Sequence, residues 1–146
     1  MSAARNAAGP RRGRSVGALA AGFFATALLS LGTDVILHAA QIYPPWGMRM
    51  SDSLFVLATA YRALYTVFGG YLTARLAPRE PMKHVWILAG VGTLLATVAA
   101  VATWNRADLG PNWYPLTLAV TALPTVWLGG RLSLPRLEFA QNSVAD

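Results

Sequence analysis

Apolar residues along this chain gather into four blocks separated by short polar or Pro/Gly-containing breaks. Each block, about 18 to 25 residues, is long enough to cross a ~30 Å hydrocarbon layer as one helix. The first, residues 16–40, is apolar except for Asp34 and His38 near its far end. Pro44, Pro45, Trp46 and Gly47 then interrupt the pattern. The second block covers 54–76, with Ser51, Asp52 and Ser53 before it as candidate N-caps and Pro78 behind it. The third covers 84–104. Gly110 and Pro111 mark a turn before the fourth, 113–130, where Pro124 is expected to kink or break the helix. The pattern predicts an all-α fold, a four-helix transmembrane bundle running up-down-up-down. A basic cytoplasmic tail (1–15) precedes the transmembrane domain (16–130), and a second cytoplasmic tail (131–146) is expected as a short interfacial stretch that frays.

Composition sharpens this picture. With 55% hydrophobic residues, 12% charged residues and a mean hydropathy of +0.43, the chain is too apolar and charge-poor for an ordinary soluble domain. The net charge of +6 raises the question of nucleic acid, but the basic residues flank apolar blocks and no basic groove interleaved with aromatics appears. The charge reads as topological, with the lipid bilayer as partner and no nucleic acid. Arg5, Arg11, Arg12, Arg14, Arg75, Arg79, Lys83, Arg131 and Arg136 fall on one side, against Arg49 and Arg106 on the other. Short loops rich in Lys and Arg stay cytoplasmic during insertion, so both termini are expected inside. A cleaved signal peptide competes as a reading of the first block, but the apolar run exceeds the usual h-region and His38 sits awkwardly before Ala40 as a cleavage site. The absence of cysteine excludes disulfides, a thiolate nucleophile and Cys-ligated metal.

Arg62 carries most of the chemical information. A cation deep in a membrane helix costs about 2.5 to 3.5 kcal/mol near the bilayer centre, which a partner would offset. Asp34 is the candidate. At 1.5 Å per residue, Asp34 lies roughly 9 Å and Arg62 roughly 13 Å from the outer ends of their spans. A carboxylate and a guanidinium at matching depth form a strong bidentate pair in low dielectric. The competing arrangement has Arg62 snorkelling to the outer interface while Asp34 meets water or caps backbone groups. His38 lies four residues after Asp34 on the same helical face, a geometry for a shared proton or a polar site. A metal site is not expected, because His84, the other histidine, falls at the opposite end of the bundle. Arg79, Lys83 and His84 form a cationic cluster suited to lipid headgroups, or to orientation alone. Trp46, Trp86, Trp104, Trp113 and Tyr114 fall at block ends, as interfacial aromatic belts do.

Small residues recur at helical spacing: Ala18 and Gly22 in the first block, Gly92, Ala96 and Ala100 in the third. Such stripes let backbones approach, within the bundle or between copies of the chain. Residues 63–70 (ALYTVFGG) also resemble 122–130 (ALPTVWLGG) with one insertion. A duplicated helical hairpin explains this, as do glycine pairs that merely permit close packing.

Tyr61-Arg62, Gly69-Gly70-Tyr71, Ala74 to Pro78, Pro81-Met82, Gly110 to Pro115 and Leu128-Gly129-Gly130 together resemble a group of uncharacterised small four-span bacterial membrane proteins. The resemblance implies an architecture and a bacterial inner membrane, and carries no activity to any residue. Eleven arginines against one lysine in an Ala-rich chain fit a GC-rich bacterial genome. No phosphate loop, nucleophile grouping or paired carboxylates appear, so the expected function is non-enzymatic, without cofactor. The leading expectation is a structural or accessory module packing with a membrane-protein partner, with itself as a homo-oligomer, or with lipid. The alternative is a small oligomeric transporter or channel using Asp34, Arg62 and His38.

Overall fold

The computed structural model describes residues 9–106 and 108–145. Among them are four helices and no strands: α1 (Gly9–Ala39), α2 (Asp52–Leu76), α3 (Pro81–Ala102) and α4 (Trp113–Ala145). Two segments are long and apolar enough to cross a membrane, Gly13–Ala39 and Pro81–Ala102. The other two helices are more mixed, since α2 carries Arg62 and α4 carries several threonines and Pro124.

Both outer helices run past the apolar blocks that predict them. Helix α1 begins at Gly9, so the basic tail expected over residues 1–15 is helical in its second half. Pro10 lies in the first turn, where a missing N–H is no loss, and alanine and arginine favour helix beyond it. Residues 1–8 lie outside the described residues. Helix α4 does not stop at Gly130 but continues to Ala145, which replaces the expected frayed tail. Leu, Arg, Glu and Ala after Gly130 are good helix formers. Nor does Pro124 break α4, which is continuous through it. The hydroxyls of Thr121 and Thr125 donate to the carbonyls of Thr117 and Thr121, each at 2.7 Å, in the turns beside the proline. Helix α3 starts at Pro81, three residues before the expected boundary, because proline suits the first helical position. Ser51 precedes α2 in the N-cap position, but its hydroxyl meets Ser53 Oγ at 2.9 Å and makes no cap to the backbone.

Contacts fix the relative directions. Asp34, Thr26, Gly22 and Ala18 of α1 meet Arg62, Tyr65, Gly69 and Thr73 of α2 in descending order, so these helices are antiparallel. Phe55 of α2 lies against Trp113 and Tyr114 of α4, while Gly70 lies against Val126, so α2 and α4 run parallel. Helix α2 packs most extensively on α4 and also on α1, whereas α1 and α4 barely touch.

The end of the bundle with the turn at residues 77–80 is packed by shape. A Cβ added at Gly22 would stand 2.6 Å from the Gly69 carbonyl oxygen, and one at Gly69 would stand 2.7 Å from that of Gly22. Gly70 and Gly129 likewise sit against the backbone carbonyls of Val126 and Val67. The two similar stretches in the sequence thus lie against each other on parallel helices. Ala74, Val85 and Ala89 are wholly buried beside them. The stripe of Ala18 and Gly22 packs on α2 as expected of a small-residue face. Gly92 does not, since a Cβ there meets nothing within 4 Å.

Candidate functional site

Charged groups between helices concentrate at the other end, below the loops 40–51 and 103–112. Helix α1 ends in a Schellman turn: the Gln41 amide bonds to the His38 carbonyl and the Ile42 amide to the Leu37 carbonyl, each at 3.0 Å. Gln41 takes the left-handed conformation this turn requires, with φ of 58°. The chain is thereby turned back over the helices, and Tyr43 is buried with 3% of its surface exposed.

Beneath that loop, Arg62 Nη2 lies 2.5 Å from Asp34 Oδ2. Tyr61, the residue before Arg62, donates its hydroxyl to the other carboxylate oxygen, Asp34 Oδ1. With that proton committed, Tyr43 is the donor in its 3.3 Å bond to the Tyr61 hydroxyl. The guanidinium also lies 5.9 Å from the ring centres of both Tyr61 and Tyr114, within cation–π range. One turn further along α2, Tyr65 donates to Thr33 Oγ1 at 2.9 Å, whose own proton goes to the Leu29 carbonyl. Asp34 and Arg62 are mostly enclosed, their side chains 14% and 29% exposed. Both carboxylate oxygens are occupied by donors, but Arg62 Nε is buried without a hydrogen-bond partner.

His38 lies apart from this pair. Its Nδ1 is 2.8 Å from the backbone carbonyl of Asp34 rather than the carboxylate. Its ring stacks on Trp46 at 3.6 Å between centroids and 5° between planes, with Tyr43 edge-on at 5.2 Å. Among the described residues no three His, Asp or Glu side chains converge in a manner suited to a metal ion. At the turn between α2 and α3, Lys83 Nζ pairs with Glu80 at 2.7 Å and His84 Nδ1 lies 3.3 Å from the Glu80 backbone carbonyl. Glu80 therefore divides the expected cluster, and Arg79 stays exposed. In the loop before α4, Arg106 makes a two-pronged contact with Asp108 at 3.2 and 3.3 Å. That contact holds the Asp108 carboxyl below its ordinary range.

Two spaces adjoin the pair. A vestibule of about 340 Å³ opens toward the loops and is lined by Asp34, His38, Tyr43, Arg49, Asp108 and Tyr114, among others. A chamber of about 220 Å³ lies among all four helices, walled by Phe23, Leu88, Gly92 and Val126 and edged by the hydroxyl-bearing Thr66 and Thr121. Arg62 lines both.

Tyr61, Tyr43 and Tyr114 are members of the site that the sequence reading does not place in it. The spacing of Ala58, Tyr61 and Tyr65 on one face of α2 was the available signal for Tyr61. The pairing of Tyr43 depends on the Schellman turn and has no sequence signature beyond it. No family model, curated protein or solved structure matches this chain.

Proposed function

We propose that the chain is a four-span integral protein of a bacterial inner membrane, up-down-up-down with both termini cytoplasmic, acting as a non-enzymatic structural or accessory module. The observation that carries this reading is the outward apolar surface. Leu28, Leu31 and Ile36 of α1, Leu64 of α2, Leu94 and Val101 of α3, and Val120 of α4 are each at least 60% exposed. Only 11% and 22% of the two most apolar windows are buried, whereas the core helix of a water-soluble protein is mostly buried. A surface of this kind suits hydrocarbon and is a liability in water.

Helix lengths bear on orientation. At 1.5 Å per residue, the 31 residues of α1 and the 33 of α4 reach roughly 46 and 50 Å, well beyond a ~30 Å hydrocarbon layer. Their surplus lies at the end with the 77–80 turn, the same end as Arg14, Arg75, Arg79, Lys83 and Arg131. A basic, protruding end fits the cytoplasmic side. The Asp34 and Arg62 pair then serves to join α1 to α2 with no net charge in the membrane, a role that requires no reaction.

Reporter fusions at Lys83 and Arg106 test the topology, with opposite compartments expected; the same compartment for both defeats it. A transport role is favoured by one observation, that Arg62 lines two spaces. Proton-coupled uptake or conductance in vesicles, abolished by Asp34→Asn, would replace the accessory reading with that one.

A further inference from the structure

Four side chains at the loop end of the bundle line one space. The vestibule of about 340 Å³ is bounded by His38, Trp46, Met48 and Met50, together with the ion pair beneath them. Local structure brings the four together. The Schellman turn folds residues 41–43 back over α1. A β-turn then follows, closed by the Met48 amide on the Pro45 carbonyl at 3.1 Å, with Gly47 at its third position and φ of 86°. Met48 is thereby held within one turn of Trp46, whose ring stacks on His38 at 3.6 Å. Met50 packs on the cluster containing Tyr43, which stands edge-on to the same imidazole at 5.2 Å.

The free donors decide what the space can hold. A carbonyl oxygen only accepts, so His38 Nδ1 carries the proton in its 2.8 Å bond to the Asp34 backbone carbonyl, and the neutral ring keeps its lone pair on Nε2. Metal-bound histidines are oriented in this way, one ring nitrogen donating to a carbonyl and the other ligating. Among the described residues Nε2 makes no hydrogen bond and is not an enclosed atom. The hard oxygen donors are committed, both Asp34 oxygens to Tyr61 and Arg62, and Asp108 to Arg106. That leaves one imidazole nitrogen and two thioether sulfurs, a set that selects soft ions such as Cu(I) over Mg(II), Ca(II) or Zn(II). Charge points the same way. Arg62 is balanced by Asp34, and Arg49 lies 3.9 Å from Asp52, so among the described lining residues no carboxylate is left over to offset a double charge. An ion about 2 Å from Nε2 in the imidazole plane stands roughly 4 to 6 Å from the Trp46 ring centre, because the two planes lie within 5° of parallel. That is cation–π range.

We propose that the vestibule binds one monovalent soft cation of the Cu(I) class, held by His38 Nε2 and the Sδ atoms of Met48 and Met50 against the face of Trp46. The ion enters and leaves as Cu(I), without electron transfer. The expectation of no metal site, made from histidine and carboxylate positions, does not extend to thioether donors. In the proposed topology the vestibule opens away from the cytoplasm, and only this direction of access rests on the membrane reading.

The probe is Ag(I), a redox-inert ion of the same charge and softness, titrated as the nitrate into the full chain in chloride-free detergent micelles and read by calorimetry and tryptophan emission. One saturable site per chain is expected, with Zn(II) at least a hundredfold weaker, a difference of about 2.7 kcal/mol. Cu(I), added as its acetonitrile complex without oxygen, should displace Ag(I). His38→Phe keeps a ring on Trp46, and Met48→Leu and Met50→Leu keep apolar volume; each should weaken binding about tenfold or more. Met48 is 63% exposed, so Met48→Leu folds in any case. Met82→Leu, at the other end of the bundle, should leave binding unchanged. Trp46→Phe should keep the stoichiometry and abolish most of the emission change. Equal binding of Zn(II), no displacement by Cu(I), insensitivity to the three donor substitutions, or an emission change that persists in Trp46→Phe overturns the proposal. None of these readings depends on topology, so their failure leaves the membrane reading standing.

Discussion

The two halves of the bundle are held together by different means. Toward the 77–80 turn, Gly22 meets Gly69, Gly70 meets Val126 and Gly129 meets Val67, backbone against backbone, around the wholly buried Ala74, Val85 and Ala89. Toward the long loops, Asp34, Tyr61, Arg62 and Tyr43 are joined through hydrogen bonds, and spaces lie above and below them. Close van der Waals packing is available in lipid at no desolvation cost. A polar network needs partners at set distances and tolerates space beside it. The first half behaves as scaffold, and the second is where a ligand or a conformational change can be accommodated.

The contrast breaks most severely at the glycines. Any side chain at Gly129 collides with the Val67 carbonyl and approaches the Tyr71 amide at 2.8 Å, and backbone cannot yield as a flexible side chain does. Gly129→Leu should therefore cost about 3 kcal/mol or prevent assembly of α2 on α4. Thermal unfolding in detergent micelles measures it. Gly92→Ala supplies the opposite sign, a gain of about 0.5 to 1 kcal/mol from helix propensity with nothing displaced. Equal effects at the two sites would erase the distinction between a packed and an open half.

The polar half should respond to pairing rather than to volume. Asp34→Ala leaves Arg62 without its counter-charge and should cost about 2 to 3 kcal/mol, less than for a fully buried pair because Arg62 is 29% exposed. Combining it with Arg62→Met should restore most of that loss, since removing both ions avoids the unpaired charge. A double-mutant cycle read by thermal unfolding checks this. Purely additive losses would mean the two groups do not depend on each other.

How much of this is legible in the sequence differs between the halves as well. Four helices follow from four apolar blocks, and the depths of Asp34 and Arg62 follow from helix rise alone, because both depend on local spacing. The Glu80 and Lys83 contact was equally available as an i, i+3 pair and is absent from the sequence reading, which counts only the basic residues. Other features depend on tertiary placement. Tyr43 reaches Tyr61 only after the Schellman turn redirects the chain, and His38 leaves the Asp34 carboxylate because Trp46 offers its ring a stacking partner. The ends of α1 and α4 escape hydropathy because they leave the apolar blocks and are set by helix propensity instead. The glycine pairs are visible as motifs, but only the three-dimensional arrangement shows that the two copies face each other.

A finer division within the polar half separates the charged network from its neutral neighbour. Tyr65 donates to Thr33 across α1 and α2 at 2.9 Å with neither group charged. Tyr65→Phe removes one neutral hydrogen bond while keeping the ring that packs beside Tyr61, and should cost about 1 kcal/mol. A loss as large as that of Asp34→Ala would place the hydroxyl inside the same cooperative unit as the ion pair.

The smallest effect is expected at the ion pair outside the bundle. Arg106 holds the Asp108 carboxyl below its ordinary range, so any stabilisation is present above the unfolded value and is lost as pH falls through the lowered folded one. Both groups are exposed, by 59% and 61%, and water screens them. A guanidinium and a carboxylate paired in high dielectric should therefore contribute almost nothing, even with two contacts between them. Acid titrations of the wild-type chain and of Asp108→Asn, followed by melting temperature, should superimpose to within about 1 °C. Destabilisation already present at neutral pH in Asp108→Asn would show that the loop is coupled to the vestibule beneath it, because a solvated pair has no other means of transmitting its charge to the helices.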